Sequence, residues 1–171
     1  MRYGSQVRSD PKSLGKFGLG LKTASTAMCR KFTVVTRPGE GQLVHAATWD
    51  LDYVRDNDDW LLLRPDPTDE QIDMMDEATE GGSGTVVIWE KVDRLLSRDY
   101  VDPASNLAKR ALRRRVDELR ESIAVTYLKF LERDSDSGEL TIYLNDEPVE
   151  PWDPFGAELG SELLLDKSVP V

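Results

Sequence analysis

Cysteine and histidine each occur once in these 171 residues, as Cys29 and His45. One cysteine cannot build a disulfide framework or a multi-cysteine zinc site, and one histidine cannot complete a two-histidine metalloprotease motif. The lack of paired cysteines makes a reducing cytosol the expected compartment. Long apolar runs are missing too. None approaches the roughly 20 residues of a membrane helix, and the opening MRYGSQVRSD has no apolar signal-peptide core. A cytoplasmic protein with no membrane partner is the expectation. Basic charge is in deficit, with 22 Lys and Arg against 32 Asp and Glu for a net charge of −10, which argues against strong nonspecific DNA binding. What remains is ample for one domain with a core, since 39 % of the residues are apolar.

The charge is segregated along the chain. Residues 1–37 hold 8 basic and 1 acidic side chain, whereas residues 38–102 hold 5 and 17. Residues 103–133 turn basic again, with 8 against 4, and residues 134–171 turn acidic, with 1 against 10. Such alternation steers an anion toward the first block, although acidic loops also serve solubility alone.

Residues 1–15 are polar and broken by Gly4, Pro11 and Gly15, so they read as a loop or lid. FGLGLKTASTAMC then opens a helix, with Leu19, Thr23, Thr26 and Ala27 at helical spacing. KFTVVTRPG alternates and is β-branched, a strand ending at Pro38-Gly39, and QLVHAATWDLDYV resumes after Gly41 as its antiparallel partner. Thr68 predicts a cap for a short helix in TDEQIDMMDEAT. GTVVIWEKV is a nearly continuous apolar run, which predicts a central strand covered on both faces. A single long helix is predicted over 104–131, with a stripe of Leu107, Ala111, Val116, Leu119, Ile123, Tyr127 and Leu131. Its basic face carries the pairs Arg113 with Asp117 and Arg114 with Glu118, an alternative to contact with nucleic acid. GELTIYLNDEPVEPW is a last strand and turn, and residues 151–171 a tail or linker. The expected class is α+β, a mixed or antiparallel sheet with helices on one face.

Chemistry concentrates in Gly15, Lys16, Phe17, Gly18, Leu19, Gly20, Leu21, Lys22 and Thr23. Three glycines leading into a helix let backbone N–H groups approach an anion closely, and the helix dipole and two lysines add attraction. Phosphate is the natural guest; helix packing alone is the competing explanation. The P-loop pattern fails because Leu21 intervenes between Gly20 and Lys22. The dinucleotide pattern fails because Thr23 stands where a third glycine belongs and no apolar strand precedes the turn. Cys29 reads as a small buried hydrophobe. His45 has no nucleophile or carboxylate partner in view.

GKFGLGLKTAS, the KFTVVTR strand and the later GTVVIWEKV together resemble the second half of the nucleotide-binding domain of the GHKL ATPases, the superfamily of DNA gyrase B, heat-shock 90 kDa chaperones, histidine kinases and MutL. The likeness is closest to the chaperone, MutL and MORC branch, covers residues 1–150 and implies a partial Bergerat-type sandwich. LTIYLNDEPVEPWDPF is similar to the strand and turn that close this domain in some members. The resemblance implies that residues 1–22 are the ATP lid and phosphate loop. Backbone amides from Gly15 to Leu21 would then hold phosphate, assisted by Lys16 and Lys22. Phe17 would anchor the lid, and Thr85 would reach the adenine; a plain strand role for Thr85 stays open.

Two further motifs of that superfamily do not occur in the chain. These are Glu-x-x-x-Asn, which activates water and holds Mg2+, and Asp-x-Gly-x-Gly, which reads adenine. The resemblance therefore implies a chain that starts inside the domain, with weak or absent ATP binding and no catalytic residue of its own. Mg2+ would bind only in a complete domain. A missing layer would leave apolar surface that favours a homo-oligomer. The parent activity implied is ATP-driven chaperone-like or DNA-processing work on a protein client or DNA. The alternative is a nucleotide-free interaction module built on the half-fold.

Overall fold

The computed structural model describes residues 18–96, 100, 102–132, 140–154 and 156. The chain divides into two compact units, residues 1–99 and 100–171.

The first unit is a three-stranded antiparallel sheet with helices. Helix α1 (Gly20–Met28) runs directly into β1 (Cys29–Arg37), the central strand of the order β2-β1-β3. β2 (His45–Asp50) pairs with β1 antiparallel, so the expected hairpin is present. Its far edge is extended by a single bridge in which the Thr48 N–H donates to the Leu63 carbonyl at 2.9 Å and the Leu63 N–H donates back at 3.0 Å. The strand predicted to continue through Leu51 and Tyr53 instead turns into α2 (Leu51–Asn57). Asp50 is the reason: its carboxylate accepts from the N–H groups of Asp52 and Tyr53, which caps a helix where the alternating pattern suggested a strand.

Helix α3 (Asp69–Thr79) begins at the expected Thr68, which forms a full capping box with Gln71. β3 (Gly84–Val92) pairs antiparallel with β1. It was expected to be central and covered on both faces; among the described residues it is an edge strand whose side chains alternate between half-buried and exposed. The apolar run misleads because its two faces do different work. Val86 and Ile88 join the cluster of Val35, Ala46 and Met75, while Val87 and Trp89 lie on the opposite face and are about 40 % exposed.

Strand register divides the side chains cleanly. Phe32 lies opposite Trp49 and Trp89, Val34 opposite Ala47 and Val87, and Thr36 opposite His45 and Thr85, so these nine share one face. Helix α1 packs there through Lys22, whose ammonium lies over the Trp49 ring, and through Ser25, whose Oγ accepts from the Trp89 indole at 3.0 Å; Cys29, the first residue of β1, is buried with Phe32 and Trp49. Helix α3 covers the other face, with Met75 fully buried against Val35 and Ala46. Arg37 is nearly buried on that face and binds Asp76 at 2.5 Å.

In the second unit, α4 (Asn106–Thr126) starts under a Ser105 cap and ends at Tyr127, after which α5 (Leu128–Leu131) follows. The single helix expected over 104–131 is therefore broken, because Tyr127 leaves helical geometry while its N–H still reaches the Ile123 carbonyl. Ile123, Tyr127 and Leu131 of the expected stripe pack together, but Leu107 and Leu119 remain about half exposed. β4 (Tyr143–Leu144) and β5 (Glu147–Pro148) form a hairpin rather than one strand. Asn145 and Asp146 both sit at positive φ, 52° and 63°, as a two-residue primed turn requires.

Candidate functional site

Helices α2, α3 and α4 each begin under a side-chain cap, and α1 does not. Its N-cap residue is Leu19, which has no oxygen to offer the first N–H groups. Gly18 precedes it at φ 66°, a conformation open to glycine at no cost. Gly20 opens the helix, and a Cβ built on it would meet nothing within 4 Å. The first turn carries no acidic side chain. Thr23 turns its hydroxyl backward, donating to the carbonyls of Leu19 and Gly20 at 3.1 Å each, and so leaves the helix entrance free. Among the described residues no side chain caps this helix start, and such a start attracts anions through its dipole and its first N–H groups.

Lys22 lies in the same turn. Its ammonium rests over the Trp49 ring, 5.6 Å from the centroid. Trp49 is nine-tenths buried between Phe32 and an edge-on Trp60, and its indole N–H has no acceptor among the described residues. Trp49 escaped the sequence analysis because only strand register brings it beneath a helix 27 residues earlier. Of the residues expected to bind phosphate, Gly18, Leu19, Gly20, Leu21 and Lys22 form one continuous entrance; Gly15, Lys16 and Phe17 lie outside the described residues.

Thr85 is separate. Its Oγ is 3.0 Å from the Thr36 Oγ, on the sheet face that α1 overlies. Phe32, beside Trp49, and Thr36, beside Thr85, are four residues apart on β1, roughly 13 Å at 3.3 Å per residue. Between these ends the face carries Val34, Ala47 and Val87, all apolar. Thr36, Val34, His45 and Ala47 also line an open groove of about 640 Å³, bordered by Leu62 and Arg64. His45 is exposed there. Cys29 is fully buried, as its neighbours require; burial pushes its thiol pKa up, and its Sγ donates to the Ser25 carbonyl.

Residues 1–85 match the family described as histidine kinase-, DNA gyrase B-, and HSP90-like ATPase. That segment is similar to the ATP-binding domains of the GHKL ATPases. Comparison with curated proteins and with solved structures gives no match. The observed α+β architecture, with its antiparallel sheet, agrees with the family's fold. The matched family is one of ATPases, which suggests ATP as the ligand of such a domain and Mg2+ as its usual companion. The open start of α1 fits a phosphate group. Among the described residues no group of three or more His, Cys, Asp or Glu side chains could hold a metal by itself, and a nucleotide-bound Mg2+ draws most of its ligands from phosphates and water. Among those residues, too, no helix is long and apolar enough to cross a membrane.

Proposed function

We propose that residues 1–99 supply the phosphate-binding half of an ATP site of the chaperone, MutL and MORC type, in a protein whose hydrolytic residues lie outside these 171. The observation that carries this reading is the uncapped, acid-free start of α1, open above Gly20 and adjacent to Lys22. The first N–H groups of α1 and the backbone amides of the glycine-rich stretch from Gly15 to Gly20 would hold the terminal phosphates. Lys22 would leave the Trp49 ring to neutralise them. A surface cation–π contact costs only about 0.5–1 kcal/mol to break, which an ion pair with phosphate offsets. Thr85 would face the adenine end, and the apolar strip of Val34, Ala47 and Val87 has the span of a nucleoside between the two.

ATP supplies the phosphoanhydride chemistry when bound. The chain's own contribution is to bind and to neutralise charge, because neither Glu-x-x-x-Asn nor Asp-x-Gly-x-Gly occurs in it. Work on a protein client or on DNA would belong to the longer protein. A second reading, a nucleotide-free interaction module, is favoured by one fact: Lys22 already has a partner in Trp49.

Titration of the 171-residue chain with a fluorescent ATP analogue separates the two. Weak saturable binding that Lys22→Ala abolishes supports the ATP half-site, and binding that Lys22→Ala leaves unchanged refutes it. Phosphate release well above that of Lys22→Ala would refute the absence of catalysis.

A further inference from the structure

Helix α4 carries an apolar stripe of Leu112, Val116, Leu119 and Ile123, at steps of four, three and four residues. One end of the stripe is covered. Ile123 packs with Ala124, Tyr127 and Leu131 against Ile142, Leu144 and Val149 of the hairpin region. The hairpin strands are two residues each, while α4 has 21 residues and is about 31 Å long at 1.5 Å per residue. The cover therefore stops short. Leu112 and Leu119, one heptad apart, stand 43 % and 48 % exposed and belong to no core cluster among the described residues.

Charge indicates what covers them. The first half of α4 holds Lys109, Arg110, Arg113, Arg114 and Arg115 and no acid; Asp117, Glu118 and Glu121 then follow, with Arg120 among them. A parallel copy of α4 would set basic half on basic half, whereas an antiparallel copy sets each basic half on the other's acidic half. Arg115 and Glu118 lie on the same flank of the leucine seam and bind each other at 2.8 Å. In an antiparallel pair related by a two-fold axis, the same two residues meet reciprocally across the interface. Nucleic acid fits less well, because Arg114 and Arg115 both pair with Glu118, which offsets part of their charge.

We propose that α4 is a self-association surface, on which a second copy of this chain packs its own α4 antiparallel across Leu112 and Leu119. The contact is independent of the ATP half-site.

Sedimentation equilibrium of the full chain, from micromolar to near-millimolar concentration, tests it. The expected result is a monomer–dimer equilibrium that Leu112→Glu with Leu119→Glu weakens roughly tenfold or more, with an unchanged circular dichroism spectrum because both side chains are half exposed. Arg115→Glu alone should weaken the dimer, and Arg115→Glu with Glu118→Arg should restore it. A monomer throughout, a dimer indifferent to the leucine changes, or no rescue by the charge exchange overturns the proposal. So does a chain that stays monomeric while its α4 arginines retard a DNA duplex.

Discussion

Replacing Gly20 with aspartate should stabilise the first unit and weaken its hold on nucleotide at the same time. Gly20 is the first residue of α1 and is not in the left-handed region, and its Cβ position is open, so a side chain enters without strain. Removing a glycine from a compatible position is worth about 0.4–1 kcal/mol, chiefly by restricting the unfolded chain, though aspartate's modest helix propensity returns part of that. A carboxylate in the first turn of a helix that has no acid there contributes about 0.3–1 kcal/mol through the dipole. The sum is about 0.5–1 kcal/mol. For a unit of this size that raises Tm by roughly 3–6 °C. The same carboxylate occupies the position proposed for phosphate and repels it.

The assay is a pair of measurements on each of three proteins. Thermal unfolding and fluorescent-nucleotide titration are run on the parent chain, on Gly20→Ala and on Gly20→Asp. Both variants should melt higher than the parent. Binding should fall most in Gly20→Asp, because only that variant places a negative charge in the site. A lower Tm for Gly20→Asp would mean that the start of α1 is not open and uncapped, and nucleotide affinity equal to that of Gly20→Ala would mean that anions do not bind there. Either result refutes the reasoning.

Three other outcomes are expected. Met75→Ala, which empties a fully buried position against Val35 and Ala46, should cost about 2–5 kcal/mol in chemical denaturation with an unchanged m-value. Asp52→Asn should flatten the acid limb of the stability curve between about pH 5 and pH 2. Hydrogen bonds from Arg30 and Lys91 hold the Asp52 carboxyl well below the usual carboxylate range, so its stabilisation is present above the unfolded value near 4 and is lost as pH falls through the native one. Thr85→Val keeps a β-branched residue in β3 and should change stability by less than about 0.5 kcal/mol while weakening nucleotide binding; unchanged binding would leave Thr85 as a strand residue only.

The parts of the fold that local chemistry dictates were legible in the chain. Thr68 and Gln71 define the start of α3 by themselves, and the β-branched run of β1 with the Pro38-Gly39 break announces its hairpin. The failures came where one local signal competed with another. Leu51 and Tyr53 fit an alternating strand, yet Asp50 accepts two backbone N–H groups and starts a helix. Likewise, an apolar run cannot reveal that Val86 and Ile88 meet α3 while Val87 and Trp89 face away. The site divides the same way. Its glycine-rich stretch is contiguous in the sequence and readable there, whereas Thr36 beside Thr85 and Trp49 beneath Lys22 depend on strand register, which couples residues 49 and 27 apart in the chain.

Register also gives the segregated charge a spatial meaning. Helix α3 carries Asp69, Glu70, Asp73, Asp76 and Glu77 without a single basic residue, and it lies on the sheet face opposite α1. Helix α1 carries Lys22 and no acid. Among the described residues the sheet therefore separates a negative side from the side of α1, whose start has no side-chain cap, and this arrangement would draw an anion toward the α1 side. Leaving α1 uncapped forgoes about 1 kcal/mol that a Ser, Thr or Asp at position 19 would contribute, as α2, α3 and α4 obtain from their own caps. A packing role for the glycines would not require that loss, since a cap at residue 19 is compatible with close packing at residue 20. An anion site does require it, because a cap would occupy the same N–H groups that phosphate needs.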